Sequence, residues 1–210
     1  MVKKTALTTL LVTTLSPMAA LAESPNWTFV EASYVSSEGS DGANLEPEGF
    51  EVAGSYGLGQ WGFVDLRYLE EDDDTNARIL GTKGKLELTR ERLSMGVGAA
   101  WRVVDTTDIY GRVAYEDWTL DAKFKFDGRK VSDDDNENGY SVGAGVRSMV
   151  WQALELRAEV NYVDVDKIMD GETGYQLGAY YTFAEHITVG ASYEELDDYE
   201  TYRATLRYQF

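Results

Sequence analysis

The sequence contains no cysteine among its 210 residues. This absence excludes a disulfide framework, a cysteine nucleophile and a thiolate metal site. The folded chain is therefore held together by hydrogen bonds and packing alone.

Histidine is nearly absent as well, because His186 is the only one. It falls in a predicted short turn, where a single histidine is far more often structural than catalytic. Pairs of carboxylates alone could perform acid-base chemistry, but nothing in the sequence singles out one pair. We therefore predict no catalytic residue, no bound cofactor and no metal centre, and we do not expect an enzyme.

Basic residues are scarce, since 19 Lys and Arg stand against 37 Asp and Glu and give a formal net charge of −18. Nucleic-acid phosphates are bound by basic surfaces, so this balance argues against a nucleic-acid partner. Cationic partners are the ones that such a surface favours.

Long apolar runs are also missing, and no segment supplies the roughly 20 consecutive apolar residues of a membrane-spanning helix. The shorter apolar stretch 6–18 follows Lys3 and Lys4 and precedes Ala20-Leu21-Ala22. This is the pattern of a secretory signal peptide with a small-residue cleavage site. We predict a signal peptide over residues 1–22 and one domain over 23–210, with a net charge of −20 once the two lysines are removed.

What the sequence does contain is a repeated alternation of apolar and polar residues, the period of a β-strand with two different faces. Ten segments show it, and most have the roughly 9 to 11 residues of a tilted membrane strand. The predicted strands are 27–35, 50–58, 61–70, 87–102, 108–126, 139–149, 154–163, 174–183, 187–196 and 201–210.

The connections between these segments alternate between short and mostly longer ones. Short turns are predicted at 59–60, 103–107, 150–153 and 184–186. Longer loops are predicted at 36–49, 71–86, 127–138, 164–173 and 197–200. Tight turns at one end and long loops at the other are typical of outer-membrane barrels. The fourth and fifth strands exceed the membrane thickness, so we expect their hairpin to project beyond it.

The alternation is also compatible with a soluble antiparallel barrel or sandwich whose apolar face points inward. The apolar face, however, concentrates aromatic residues at strand ends and aliphatic residues between them, as lipid-facing girdles require. We therefore predict an all-β, antiparallel up-and-down transmembrane β-barrel, with ten strands favoured and eight as the alternative.

The polar face then lines the lumen, where every basic residue is an arginine. Arginine forms bidentate pairs with carboxylates and suits confined networks, whereas lysine stays hydrated. All lysines of the predicted domain fall in loops or in the projecting hairpin. We expect a lumen that is plugged by ion pairs or narrowly wet. The predicted charge network consists of Glu31, Asp65, Arg67, Arg92, Arg112, Glu116, Arg147, Glu155, Arg157, Glu159, Glu194, Arg203 and Arg207.

The excess acidic residues cluster in predicted loops, at 70–74, 133–137, 164–172 and 195–200. Hydrated loops are the simpler interpretation, and divalent cations that bridge to lipopolysaccharide or a surface partner are the alternative. The segment 134–139 matches the opening of a calcium loop, but Gly145 stands where a bidentate carboxylate is needed.

The signal pattern, the alternating strands and the terminal strand 201–210 make the chain resemble small outer-membrane β-barrel proteins of Gram-negative bacteria. It is similar in kind to the OmpA, OmpX and OmpW membrane domains and more closely to small porin-like barrels, through the segments 111–116 and 139–147. The resemblance implies that the barrel-insertion machinery recognises the last strand through Tyr202, Leu206, Tyr208 and Phe210. It also implies contact with outer-membrane lipid, lipopolysaccharide and periplasmic chaperones.

Three functions remain compatible with the sequence. The first is a structural or surface-interaction barrel with acidic extracellular loops, and the second is a narrow diffusion channel for small solutes or ions. The third, less favoured, is a lumenal ligand binder or membrane enzyme, which requires a cavity that the arginine network would fill.

Overall fold

A computed structural model describes residues 24–39, 46–79, 82–126, 129–197 and 199–210, so the predicted signal peptide lies outside the described residues. None of the described residues forms a helix long and apolar enough to cross a membrane. The strands are β1 (Phe29–Gly39), β2 (Glu48–Leu58), β3 (Gly62–Ile79), β4 (Thr82–Val104), β5 (Thr107–Phe126), β6 (Arg129–Trp151), β7 (Leu154–Val165), β8 (Met169–Ala184), β9 (Ile187–Leu196) and β10 (Tyr199–Gln209).

These strands form a closed barrel in which each strand pairs with its sequence neighbours, and β1 closes the ring against β10. All pairings are antiparallel, and the closing register places Phe29 opposite Gln209 and Gly39 opposite Tyr199. The predicted fold class and the count of ten strands are confirmed. The alternative of eight strands is wrong.

Three of the predicted long loops are wrong, because most of their residues are strand. In the predicted loop 164–173, β7 continues to Val165 and β8 begins at Met169. The predicted loop 71–86 is occupied by the end of β3 and the start of β4, which pair as far as Ile79 and Thr82. The predicted loop 127–138, with its calcium-loop-like segment, is occupied by β6, which pairs with β5 from Arg129 onwards. The acidic runs in these segments continue the β-ladder, so four strands, and not two, extend past the barrel.

The barrel wall exposes its apolar face outward, as lipid contact requires. Tyrosines and one phenylalanine mark its upper edge, and aliphatic side chains cover the middle of the wall. The exposed aromatic residues of the upper edge include Tyr34, Phe50, Tyr68, Tyr115, Tyr140, Tyr162, Tyr175 and Tyr202. The lower edge, beside the short turns, carries Trp61, Trp101, Trp151, Tyr208 and Phe210.

Above the upper edge, residues 72–79, 82–90, 119–126 and 129–137 continue as a four-stranded sheet that we call the outer extension. Its faces are reversed relative to the barrel. The outward face carries charged residues such as Lys85, Glu87 and Lys125. The inward face is more apolar and includes Leu88 and Leu120, which line a cavity above the barrel mouth together with Asp73 and Asp135.

Candidate functional site in the barrel lumen

The inward side chains of the barrel form three layers between the short turns and the outer extension. An aromatic cluster occupies the lower layer, charged residues occupy the middle, and an apolar cluster occupies the upper layer. Barrels of this kind place short turns in the periplasm, so the lower layer faces the periplasm and the upper layer faces the cell exterior.

The upper part of the charged layer is a chain of shared ion pairs. Arg203 reaches Glu51 through Nε at 3.0 Å and Glu194 through Nη2 at 2.7 Å. Arg92 then links Glu194, at 3.7 Å, to Glu116, at 3.1 Å. Each carboxylate that is removed from water therefore lies beside a guanidinium, which offsets part of the large cost of burying it.

The lower part of the charged layer repeats this arrangement. Arg147 pairs with Glu155 at 2.8 Å, and Arg207 bridges Glu31 at 2.9 Å and Glu155 at 3.6 Å. Three further pairs lie in the lumen: Arg112 with Asp65 at 2.6 Å, Arg157 with Glu159 at 2.6 Å and Arg67 with Glu51 at 3.6 Å.

The structure places every residue of the predicted charge network on the inward face, and none of them is exposed. Each takes part in at least one of the pairs given above. Three inward residues outside the predicted network also form pairs: Glu51, which the sequence placed on the polar face, and Glu71 and Arg90, which it did not. Glu71 accepts hydrogen bonds from Ser37 at 2.6 Å and from Arg90. Its position, an even number of residues after Asp65 and Arg67 on the same strand, was the available signal, but the adjoining acidic run favoured a loop.

The lower aromatic cluster is built around Trp27, which belongs to the segment before β1. Its ring stacks on Phe63 with 4.3 Å between centroids and meets Tyr110 edge-on at 5.2 Å. Its Nε1 donates a hydrogen bond to Asp108 at 2.9 Å. The guanidinium of Arg147 lies over the same ring at 4.4 Å, a cation–π contact. The segment thus covers the periplasmic end of the lumen.

Arg207 contacts two further aromatic rings just above this cluster. Its guanidinium carbon lies 4.2 Å from the ring centroid of Phe29 and 4.2 Å from that of Tyr180. Two rings therefore hold the cation whose charge Glu31 and Glu155 balance. Such desolvated cation–π contacts are worth about 2 kcal/mol or more.

The upper apolar cluster closes the opposite end and draws on four strands. It consists of Trp118, Val163, Val165, Met169 and Leu196, with Ile168 packed against it. The turn between β7 and β8 brings Ile168 and Met169 to the mouth, and this turn has Lys167 in the left-handed region with φ 59°.

Between the two clusters, the space left in the charged layer is small. A cavity of about 30 Å³ lies among the lower arginines and the aromatic cluster. A buried water requires roughly 10 to 15 Å³ of such volume, so this cavity has room for one or two waters. Glycines make the close packing possible: a Cβ at Gly96 would lie 2.6 Å from an Asp65 oxygen and 2.8 Å from Arg112 Nη2.

The lumen is suited to charge pairing, and the described residues form no metal site. Within those residues no group of three or more His, Cys, Asp and Glu side chains could hold a metal ion. His186 lies in an exposed turn, where its nearest carboxylate is Glu185 at 3.9 Å. Tyr202, Leu206 and Tyr208 of β10, and Phe210 directly after it, lie on the outward face of the wall.

Comparisons with known proteins agree with this architecture. The family described as "Outer membrane protein beta-barrel domain" matches residues 5–174. No curated protein sequence matches significantly. Among solved structures, the NanC porin is similar over 86% of this chain and 100% of its own, at 10% identity and a TM-score of 0.53.

Two further structures have a similar fold. The KdgM porin in complex with disordered oligogalacturonate covers 87% of this chain and 99% of its own, at 8% identity and a TM-score of 0.52. The translocator domain of the autotransporter NalP from Neisseria meningitidis covers 87% and 88%, at 10% identity and a TM-score of 0.52. The chain therefore belongs to the outer membrane protein beta-barrel domain family, and its place is the outer membrane of a Gram-negative bacterium.

Proposed function

We propose that the protein is a closed structural barrel of the outer membrane that presents the outer extension to the cell exterior. The observation that carries this proposal is the filled lumen. Shared arginine–carboxylate pairs span its middle, and an apolar cluster and an aromatic cluster cover its two ends.

The arrangement differs from the one that a conducting pore requires. A solute that crosses this lumen would have to separate ion pairs such as Arg203–Glu194 and displace Trp27 from its stack on Phe63. Breaking one buried ion pair costs about 3 to 5 kcal/mol. Passage at a useful rate would therefore need a rearranged barrel.

A narrow channel is the second candidate, and the fold similarity to the NanC and KdgM porins favours it. At 8% and 10% identity this similarity extends to the fold alone. For either function, the partners that we propose are the surrounding lipid and lipopolysaccharide, the periplasmic chaperones, and the assembly machinery, which would recognise β10 through its outward aromatic residues.

Conductance in planar lipid bilayers distinguishes the two candidates. We expect no steady current through the purified protein at membrane potentials that leave protein-free bilayers intact. Arg112→Ser and Arg157→Ser remove lumenal charge, and Lys125→Ser removes an exposed charge of the outer extension as a matched control. A steady wild-type current whose ion selectivity changes with Arg112→Ser or Arg157→Ser, but not with Lys125→Ser, would refute the closed barrel.

A further inference from the structure

Two adjoining cavities lie at the outer mouth, above the charged layer. The inner cavity has a volume of about 130 Å³ and the outer one about 340 Å³. They share Arg90, Leu120 and Tyr199 as lining residues, so they lie directly next to each other. Their combined size falls within the roughly 300 to 1,000 Å³ of small-molecule sites.

The walls of these cavities are mainly apolar and become more buried with depth. Leu120 and Tyr199, near the exterior, are 38% and 37% exposed. Trp118 and Leu196, which line the inner cavity, are 4% and 6% exposed. An apolar molecule that enters these cavities would therefore lose contact with water progressively with depth. Its binding free energy would become more favourable in proportion to the apolar area buried.

Arg203 lines the inner cavity and has an unused hydrogen-bond donor. Its side chain is 3% exposed, its Nε donates a hydrogen bond to Glu51 at 3.0 Å, and its Nη2 forms an ion pair with Glu194 Oε2 at 2.7 Å without a hydrogen bond. Its Nη1 is buried and has no hydrogen-bond partner among the described residues. A buried donor without an acceptor is costly, so this atom favours a molecule that brings an acceptor to the inner cavity.

The charges around the cavities indicate that this acceptor is uncharged. Arg90, Arg92 and Arg203 line the inner cavity, and together with Arg67 they are balanced by four carboxylates, those of Glu51, Glu71, Glu116 and Glu194. An anion would add an unbalanced charge there, and a cation would face three guanidinium groups. Glu71, Asp73, Asp121 and Asp135 line the outer cavity against Arg90, the single cation among its described lining residues, and with the net charge of −18 they disfavour the approach of anions.

We propose that the two cavities form a binding site for a small uncharged apolar molecule with a carbonyl oxygen at one end. The oxygen accepts a hydrogen bond from Arg203 Nη1, and the apolar body lies against Trp118, Leu196 and Leu120. This site adds a class of ligand to the surface role proposed above, so the inference rests on that proposed function. Conductance, which tests the closed lumen, leaves this site untouched, so the two can fail separately.

The test uses the full-length barrel in lipid nanodiscs, labelled with 5-fluorotryptophan and observed by ¹⁹F NMR. Its five tryptophans report on different places. Trp118 lines the inner cavity, and Trp27 lies at the opposite end of the lumen. Trp61, Trp101 and Trp151 are exposed on the outer wall and detect partitioning into lipid.

Four probes with one chain length separate the possible ligand classes: octan-2-one, octane, octanoate and octylamine. We expect octan-2-one to shift the Trp118 resonance saturably while Trp27 stays unchanged. It should bind about tenfold more tightly than octane, because a hydrogen bond to a charged donor is gained. Octanoate and octylamine should bind at least tenfold more weakly than octan-2-one. The proposal would be overturned if octane bound as tightly as octan-2-one, or if octanoate or octylamine had the highest affinity of the four.

A matched pair of substitutions checks the location. Leu120→Asp places a carboxylate in the wall shared by both cavities and should weaken octan-2-one binding at least tenfold. Val131→Asp introduces the same charge on the inward face of the outer extension, at an exposed position that lines neither cavity. It should leave the affinity unchanged. Equal effects of the two variants, or no saturable Trp118 shift in the wild type, would refute the site.

Discussion

The barrel and the outer extension are made from the same strands, yet their faces have opposite polarity. On β5, Val113 points outward and Glu116 inward within the barrel, whereas Lys125 points outward and Leu120 inward in the extension. The alternation itself does not change along the strand. What changes is the medium on each side, from lipid outside the barrel to water outside the extension.

The two regions also use different cations. The ion pair of Arg203 and Glu51 in the lumen leaves the side chains 3% and 2% exposed. The ion pair of Lys125 and Glu87 in the extension leaves them 49% and 28% exposed. Arginine tolerates desolvation and can bond several carboxylates at once, while lysine keeps its hydration at the surface. Burial, more than the distance between the charged atoms, therefore decides how much each ion pair contributes to the stability of the fold.

The largest expected effect comes from removing one cation in each region. Arg203→Met leaves Glu51 and Glu194 buried without this partner and should lower the free energy of unfolding by about 3 to 5 kcal/mol. Lys125→Met should produce no measurable change, because exposed pairs contribute little. Urea-induced unfolding in lipid vesicles measures both. Equal losses from the two variants would show that burial does not separate the regions.

The next effect comes from placing a charge on the outward face at two heights. Val97→Arg puts a guanidinium against lipid near the middle of the wall and should cost about 2 to 4 kcal/mol. Ser132→Arg, on the outward face of the extension, should leave the unfolding free energy unchanged because water surrounds it. The same urea titration applies. A tolerated Val97→Arg would mean that this part of the wall does not contact lipid.

The smallest effect concerns titration in the extension. The hydrogen bond from Lys125 holds the pKa of the Glu87 carboxyl below its ordinary value, and Lys85 adds to this effect. A lowered folded-state pKa gives stability that is present above the unfolded pKa and is lost as the pH falls through the folded one. Lys125→Met should therefore raise the pKa of Glu87, as measured by ¹³C NMR of its carboxyl. An unchanged pKa would show that the pair does not form in solution.

The sequence was sufficient for the barrel wall because lipid and lumen impose opposite demands on alternate residues. It failed at residues 71–86 and 127–138, where acidic runs favoured hydrated loops. Charged residues are hydrated as well on a strand outside the membrane as in a loop, so composition could not distinguish a strand from a loop. Alternation at Leu86 and Leu88, opposite Phe124 and Ala122 in the ladder, carried the information.

The sequence identified inward charges but not their partners. The pairing of Arg207 with Glu31 joins residues 176 positions apart, and it depends on the closure of β10 against β1. The place of Trp27 could not be predicted either, since its contacts with Phe63 and Tyr110 require the segment before β1 to turn into the lumen. Both features join residues that are far apart in the sequence, and local patterns do not encode such contacts.

The segment around Trp27 is fastened across the seam where the ring closes. Asn26 Nδ2 donates to the main-chain oxygen of Phe210 at 2.9 Å, and the Phe210 amide donates to Thr28 at 3.1 Å. These hydrogen bonds join the first described residues to the last strand, so they can form only after β10 has reached β1. The seam between the two ends of the chain and the lower cover of the lumen therefore share these hydrogen bonds, so a barrel whose β1–β10 seam is open lacks part of what holds the cover.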